Sequence, residues 1–113
     1  CWMATTKSLM VPDNNQTRGQ SAYSMLAPNL TTILDIPDVA SIACPKPMLF
    51  FNGRYDTLFP IDGVEECYKI MKNVWESQNS EDYLYTKIWD LEHLFSVEMQ
   101  EEAFAWLDKF LKR

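Results

Sequence analysis

Along the C-terminal two thirds of the chain, the spacing of apolar residues switches between the period of a strand and the period of a helix. Met48–Gly53, MLFFNG, is a short apolar run with Pro47 before it and Gly53 closing it. That is the signature of a strand buried on both faces, placed near residues 47–52. RYDTLFP follows as a turn in which Pro60 suits the first turn of a helix. Val64, Cys67, Tyr68, Met71, Val74 and Trp75 then fall on one apolar stripe at helical period. The polar break ESQNSED ends that helix. YLYTKIWD, rich in aromatic and β-branched residues, predicts a second strand near residues 84–90. After LEHLF, Ser96 is an N-cap candidate, and Ala103, Phe104, Leu107, Phe110 and Leu111 form a second helical stripe. Lys109, Lys112 and Arg113 suit the negative end of its dipole. Strand, helix, strand, helix in this order predicts a parallel pair with a right-handed crossover.

The N-terminal third is less regular. CWMATT reads as the end of a buried strand, near residues 1–5, running into a loop. Domain termini are ordinarily polar and frayed, so an apolar start leads us to expect one part of a larger domain. VPDNNQTRGQ is loop-like, and SAYSML suits one or two helical turns before Pro28. Asp35 or Pro37 opens a short helix through Asp38–Ala43, which Pro45 must end.

Composition narrows the class. Ten Lys and Arg against 16 Asp and Glu leave a net charge of −6, and 47% of the residues are hydrophobic. Such a chain is too apolar for disorder. An acidic balance without basic clusters argues against nucleic acid or an anionic membrane as partner. No apolar run approaches the ~20 residues of a bilayer span. Cys1, Cys44 and Cys67 are widely spaced, contain no CxxC pair and are joined by a single His. They predict free thiols rather than a disulfide framework or a zinc site. Gly19, Gly53 and Gly63 are the three glycines, and no phosphate-cradling motif can be written from them. Asn15-Gln16-Thr17 and Asn29-Leu30-Thr31 fit the glycosylation triplet, which carries meaning in a secreted eukaryotic chain. The compartment is not legible.

The chemistry gathers at two strand ends. Asp56 lies just past the first predicted strand and His93 just past the second. In a parallel pair both loops leave the same edge of the sheet, the edge at which open α/β sheets bind ligands. A carboxylate there can fix the imidazole's tautomer and leave its other nitrogen as a base. A turn Asp or a lone His is more commonly structural; the matched positions single out this pair. Asp62 is an alternative acid, although a carboxylate in a first helical turn is ordinary dipole compensation. Tyr55, Phe59 and Phe95 are candidates to line an acyl or sugar pocket, or to be core.

These residues carry a resemblance. DIPDVASIACPKPMLFFNGRYDTLFPIDGVEECYKIM, the region around His93, and MQEEAFAWLDKFL together resemble the C-terminal part of an α/β-hydrolase. The branch is the dienelactone-hydrolase-like and acetyl-xylan-esterase-like one. The resemblance implies that Asn52, Gly53 and Asp56 deliver the triad acid, that Leu58-Phe59-Pro60 opens the next helix, and that His93 is the triad histidine. CWMATT resembles the strand after the nucleophile helix. The match runs from Asp35 onward and covers the first 34 residues loosely. It implies about three parallel strands with helices packed on the sheet, hydrolysis of carboxylic esters, carbohydrate esters among them, and no metal or organic cofactor.

Two departures accompany it. Asp90-Leu91-Glu92 stands where the family commonly has small residues before its histidine. The G-x-S-x-G nucleophile turn has no counterpart: Gly19-Gln20-Ser21-Ala22-Tyr23 lacks the second glycine, and Cys1 and Cys44 open no helix from a strand. The expectation is therefore a hydrolase segment that supplies acid and base, is inactive by itself, and has a missing N-terminal half. Its open sheet edge and apolar surface around Trp2 and Met3 would pair with that half or with another copy. The alternative is a non-catalytic α/β interaction or assembly module.

Overall fold

The computed structural model describes residues 3–10 and 29–111. The chain opens with helix α1 (Thr6–Leu9), resumes with a 3-10 turn (Leu30–Thr32), and continues through α2 (Ile36–Ser41), β1 (Met48–Gly53) and α3 (Ile61–Ser77). A second 3-10 turn (Glu81–Tyr83) then leads into β2 (Leu84–Trp89) and α4 (Val97–Leu111). The order is the expected strand, helix, strand, helix. β1 and β2 are parallel neighbours, in register from Met48 opposite Leu84 to Gly53 opposite Trp89.

Local chemistry accounts for the boundaries. Asp35 caps α2 by accepting from the Ile36 amide at 2.7 Å, while Asp38 accepts from the Asp35 amide at 2.8 Å, a reciprocal cap of the S/T/D-x-x-D/E type. The Asp35 carboxylate also takes the Thr6 hydroxyl at 2.6 Å and amide at 2.9 Å, which ties α1 to α2. Pro60 immediately precedes α3. At its far end Asn79 adopts φ 49°, a left-handed conformation that Asn tolerates. Ser80 turns its amide and its hydroxyl back to the Trp75 carbonyl, both at 3.0 Å. Ser96 caps α4 through the Met99 amide, 3.3 Å away.

Two clusters bury the faces of the sheet. On one side Phe50, with Met48, Leu84 and Ile88 around it, meets Val64, Cys67, Tyr68, Met71 and Trp75 of α3. The predicted stripe is thus the buried face of α3. On the other side Phe51 packs with Met99 and Ala103 of α4, and Leu49, Tyr85 and Trp89 surround them. Glu102 of α4 accepts from Tyr85 and Lys87 of β2, at 2.5 and 2.6 Å. Burial and that hydrogen bond push the Tyr85 phenol up to about 12. Gly63 lies where α1 crosses the first turn of α3: a Cβ there would stand 1.9 Å from the Ser8 hydroxyl oxygen.

Two expectations are corrected. Among the described residues the sheet has two strands; Thr5 is extended in backbone and precedes α1 as its cap, and Cys1 and Trp2, the start of the first predicted strand, lie outside the described residues. Met3 and Ala4 are buried in the α3-side core rather than open. The α4 stripe is wider than the sheet can cover. Ala103 is buried, but Phe104 is 62% and Leu111 71% exposed, because they lie on the side of the helix away from Glu102, which is bound to β2. The predicted turns in SAYSML, both Ser21 and Gly19, and Lys112 and Arg113 also lie outside the described residues.

Cys44 and Cys67 are free thiols. Burial, then the nearby Asp35, Glu66 and Asp38 carboxylates, raises Cys67 from its ordinary value to about 12, and burial raises Tyr68 as well. A group whose neutral form is favoured on folding contributes fully below its unfolded value and loses that contribution as pH rises toward the folded one. Thermal stability should therefore fall between about pH 9 and pH 12, and a thiol reagent at pH 8 should modify Cys67 at the rate of unfolding. Rapid labelling of Cys67 in the native chain would contradict the burial.

Candidate active site

The pairing of β1 with β2 continues past the strands. The Arg54 amide donates to the Trp89 carbonyl at 2.7 Å, and the Tyr55 amide to the Leu91 carbonyl at 3.0 Å. This lacing carries both loops out of the sheet side by side. Arg54 and Asp90 add an exposed ion pair at 2.9 Å. Asp56 then turns inward, its side chain 4% exposed. One carboxylate oxygen accepts from the Leu58 amide at 2.8 Å, the Asx-type turn that the sequence Asp-Thr-Leu allows. The other stands 2.7 Å from Nδ1 of His93.

His93 occupies a tight turn in which the Leu94 amide donates to the Glu92 carbonyl at 2.9 Å. Its ring stacks on Phe59, with centroids 6.0 Å apart and planes 27° from parallel. Phe59 is 1% exposed, so the imidazole rests on the α3-side core while Asp56 holds its edge. An ionised carboxylate accepts and does not donate, so in the neutral imidazole the proton sits on Nδ1 and the lone pair on Nε2. Nε2 has no hydrogen-bond partner among the described residues. The side chain is 56% exposed and lines a cleft of about 470 Å³ with Asp56, Glu92, Phe95 and the core residues Phe51 and Met99.

The sequence pair is thus brought together at the carboxyl edge, and Phe95 joins it in the cleft. The other expectations divide. Phe59 lies beneath the imidazole as core. Tyr55 is 59% exposed and not part of the cleft wall. Asp62 is exposed in the first turn of α3, and the imidazole's carboxylate is Asp56. Cys44 directs its sulfur to the Val74 carbonyl and the Ser80 hydroxyl, not to the cleft. The described residues lining the cleft include no Ser, Thr or Cys, and Ser21 and Cys1 lie outside the described residues. Nor do three or more His, Cys, Asp or Glu side chains gather into a possible metal group among the described residues.

Asn52 and Gly53, expected to lead into the acid, hold the site through two contacts the sequence did not show. Buried Asn52 accepts from the Tyr68 hydroxyl at 2.7 Å, which locks the end of β1 to α3; the signal was an amide closing an apolar run. Gly53 makes the second. A Cβ there would stand 2.5 Å from the backbone oxygens of both Leu91 and Glu92, the two residues before His93. Backbone on both sides cannot yield as a flexible side chain can. Gly53→Ala should cost about 1–3 kcal/mol and displace the His93 turn, removing the low-field proton resonance expected of an Nδ1–H held by Asp56. A variant that keeps this resonance at wild-type stability would show that the loops are not held by this contact.

Comparison with known proteins returns no match: no protein-family model fits the chain, and no curated protein and no solved structure matches it.

Proposed function

We propose that this chain is the acid-and-base segment of a serine-type α/β-hydrolase that cleaves carboxylic esters, with carbohydrate esters as one substrate class. The observation that carries this reading is the 2.7 Å Asp56–His93 contact at the carboxyl edge of adjacent parallel strands. In this scheme a serine hydroxyl from outside the described residues enters the cleft beside Nε2. His93 takes its proton as the oxygen attacks the ester carbonyl, then gives that proton to the departing alkoxide. A water attacks the acyl-enzyme by the same exchange, its proton passing to His93 and then to the serine. Asp56 stays ionised throughout, orients the ring and offsets the imidazolium charge.

The test is activated-ester hydrolysis and organophosphonate labelling of a polypeptide that extends this chain upstream. The expected result is saturable turnover and one labelled serine outside residues 29–111. Absence of both would overturn the reading. The 113-residue chain by itself should match a control protein, and turnover abolished by changing Ser21 would place the nucleophile there instead.

A second reading, a non-catalytic interaction module, draws support from apolar side chains left in solvent: Ile33, Ile42, Phe104 and Leu111 are all more than 60% exposed. Such surface favours association through the α4 flank. Light scattering over a concentration series separates the readings when combined with the ester assay.

A further inference from the structure

The walls of the His93 cleft differ from what a small, polar acyl group needs. Its floor is the α4-side core, where Phe51 is 6% and Met99 4% exposed. Leu49 extends that floor, and Leu94 and Phe95, 49% and 56% exposed, rise beside His93 as an apolar rim. The volume, about 470 Å³, falls in the range of small-molecule sites, which are mostly apolar with a few placed polar groups. An acetyl group would reach little of this surface. Loop architecture keeps the rim in place: the Phe95 carbonyl accepts from the Gln100 side chain of α4 at 3.0 Å, and Ser96 caps the same helix.

Charge sets a second condition. The carboxylates of Asp56 and Glu92 both line the cleft, Glu92 being exposed beside His93, and the chain carries −6 overall. No Lys or Arg lines the cleft among the described residues. A carboxylate-bearing ligand would meet like charge with no cation to pair it, at a cost that desolvation increases.

We propose that the cleft selects neutral esters with an apolar chain or ring larger than acetyl, seated on Phe51, Met99, Leu94 and Phe95, and that Glu92 rejects anionic ligands. This rests on the reading of Asp56 and His93 as an ester-hydrolysing pair and specifies its substrate. Each methylene removed from water favours binding about fourfold. Four additional methylenes, even half-buried in an open cleft, should therefore improve binding at least about tenfold.

The experiment is an NMR titration of the full 113-residue chain with methyl acetate, methyl hexanoate and the hexanoate anion. The probes are the Leu49, Leu94 and Met99 methyl groups and the Phe95 and His93 rings. Methyl hexanoate should shift these signals with at least tenfold tighter binding than methyl acetate. Phe95→Ala should weaken hexanoate binding several-fold and acetate binding by a smaller factor. The hexanoate anion should bind more weakly than its ester, and Glu92→Gln should narrow that gap. Equal affinity for the two esters, shifts confined to another surface, or a Phe95→Ala chain that binds as the parent would overturn the proposal. The His93 nitrogen shifts keep the two readings apart. An Nδ1–H tautomer with no ester binding overturns the substrate assignment alone, and ester binding without that tautomer overturns the triad reading.

Discussion

On the proposed mechanism, Asp56→Asn in a polypeptide that carries the nucleophile should lower ester turnover by roughly 10⁴-fold while leaving the fold intact. The geometry gives the reason. One Asp56 oxygen is committed to the Leu58 amide and the other to Nδ1 of His93. Asparagine has one oxygen, and the Leu58 amide requires it as acceptor, so the NH₂ group is left facing the imidazole. Nδ1 must then accept, the ring proton moves to Nε2, and the lone pair that should take the serine proton is gone. Because the side chain keeps its shape and its 4% exposure, substrate binding should change little, and the loss should appear in kcat rather than KM. His93→Ala should fall by a similar factor, and the double variant no further, since the two residues act as a unit. Steady-state kinetics with a neutral activated ester, paired with circular dichroism, provides the check. Turnover in Asp56→Asn within tenfold of wild type would remove the carboxylate from the mechanism.

The legible part of the fold was the part written in periodicity. Val64, Cys67, Tyr68, Met71 and Trp75 are buried on α3 as their spacing required, and the MLFFNG run is a strand covered on both faces. The Asp56–His93 pairing was legible because parallel strands send their following loops out of one edge, so two separate positions became neighbours once the strands were placed. Less could be read where the answer depended on neighbouring elements. Periodicity marks which residues of α4 are apolar but not how much of that arc a sheet will cover, and Phe104 and Leu111 are left in solvent. An apolar start such as CWMATT fits a strand or the packed approach to a helix equally well. Met3 and Ala4 are buried in the α3-side core and belong to neither described strand. Phe59 and Tyr55 lie four residues apart on one turn, and backbone direction alone decides that the first supports the imidazole and the second faces water. Gly53 reads as a turn residue, yet its close approach to Leu91 and Glu92 depends on a loop nearly forty residues away.

Trp75→Ala is expected to destabilise the chain by about 3–5 kcal/mol, the largest single-residue effect on stability considered for this core. Trp75 is fully buried at the C-terminal end of α3, and its indole nitrogen donates to the Lys46 carbonyl at 3.2 Å. The substitution removes the ring from the α3-side core and orphans that carbonyl. Lys46 is exposed, so water can satisfy the carbonyl, and the cost is mainly the cavity. Trp75→Phe should therefore lose much less, about 1–2 kcal/mol. Domains of this size have roughly 5–15 kcal/mol in hand, so the alanine variant should unfold at a much lower urea midpoint with the slope unchanged. The effect should reach the site as well. Trp75 lies two turns along α3 from Tyr68, whose hydroxyl holds Asn52 at the end of β1, and Phe59 beneath His93 belongs to the same cluster. A chain that loses this packing should lose the His93 Nδ1 resonance together with the rest of the fold, at the same lowered urea midpoint. Equal midpoints for the alanine variant and the parent would mean that α3 is held by contacts other than the core it forms with β1.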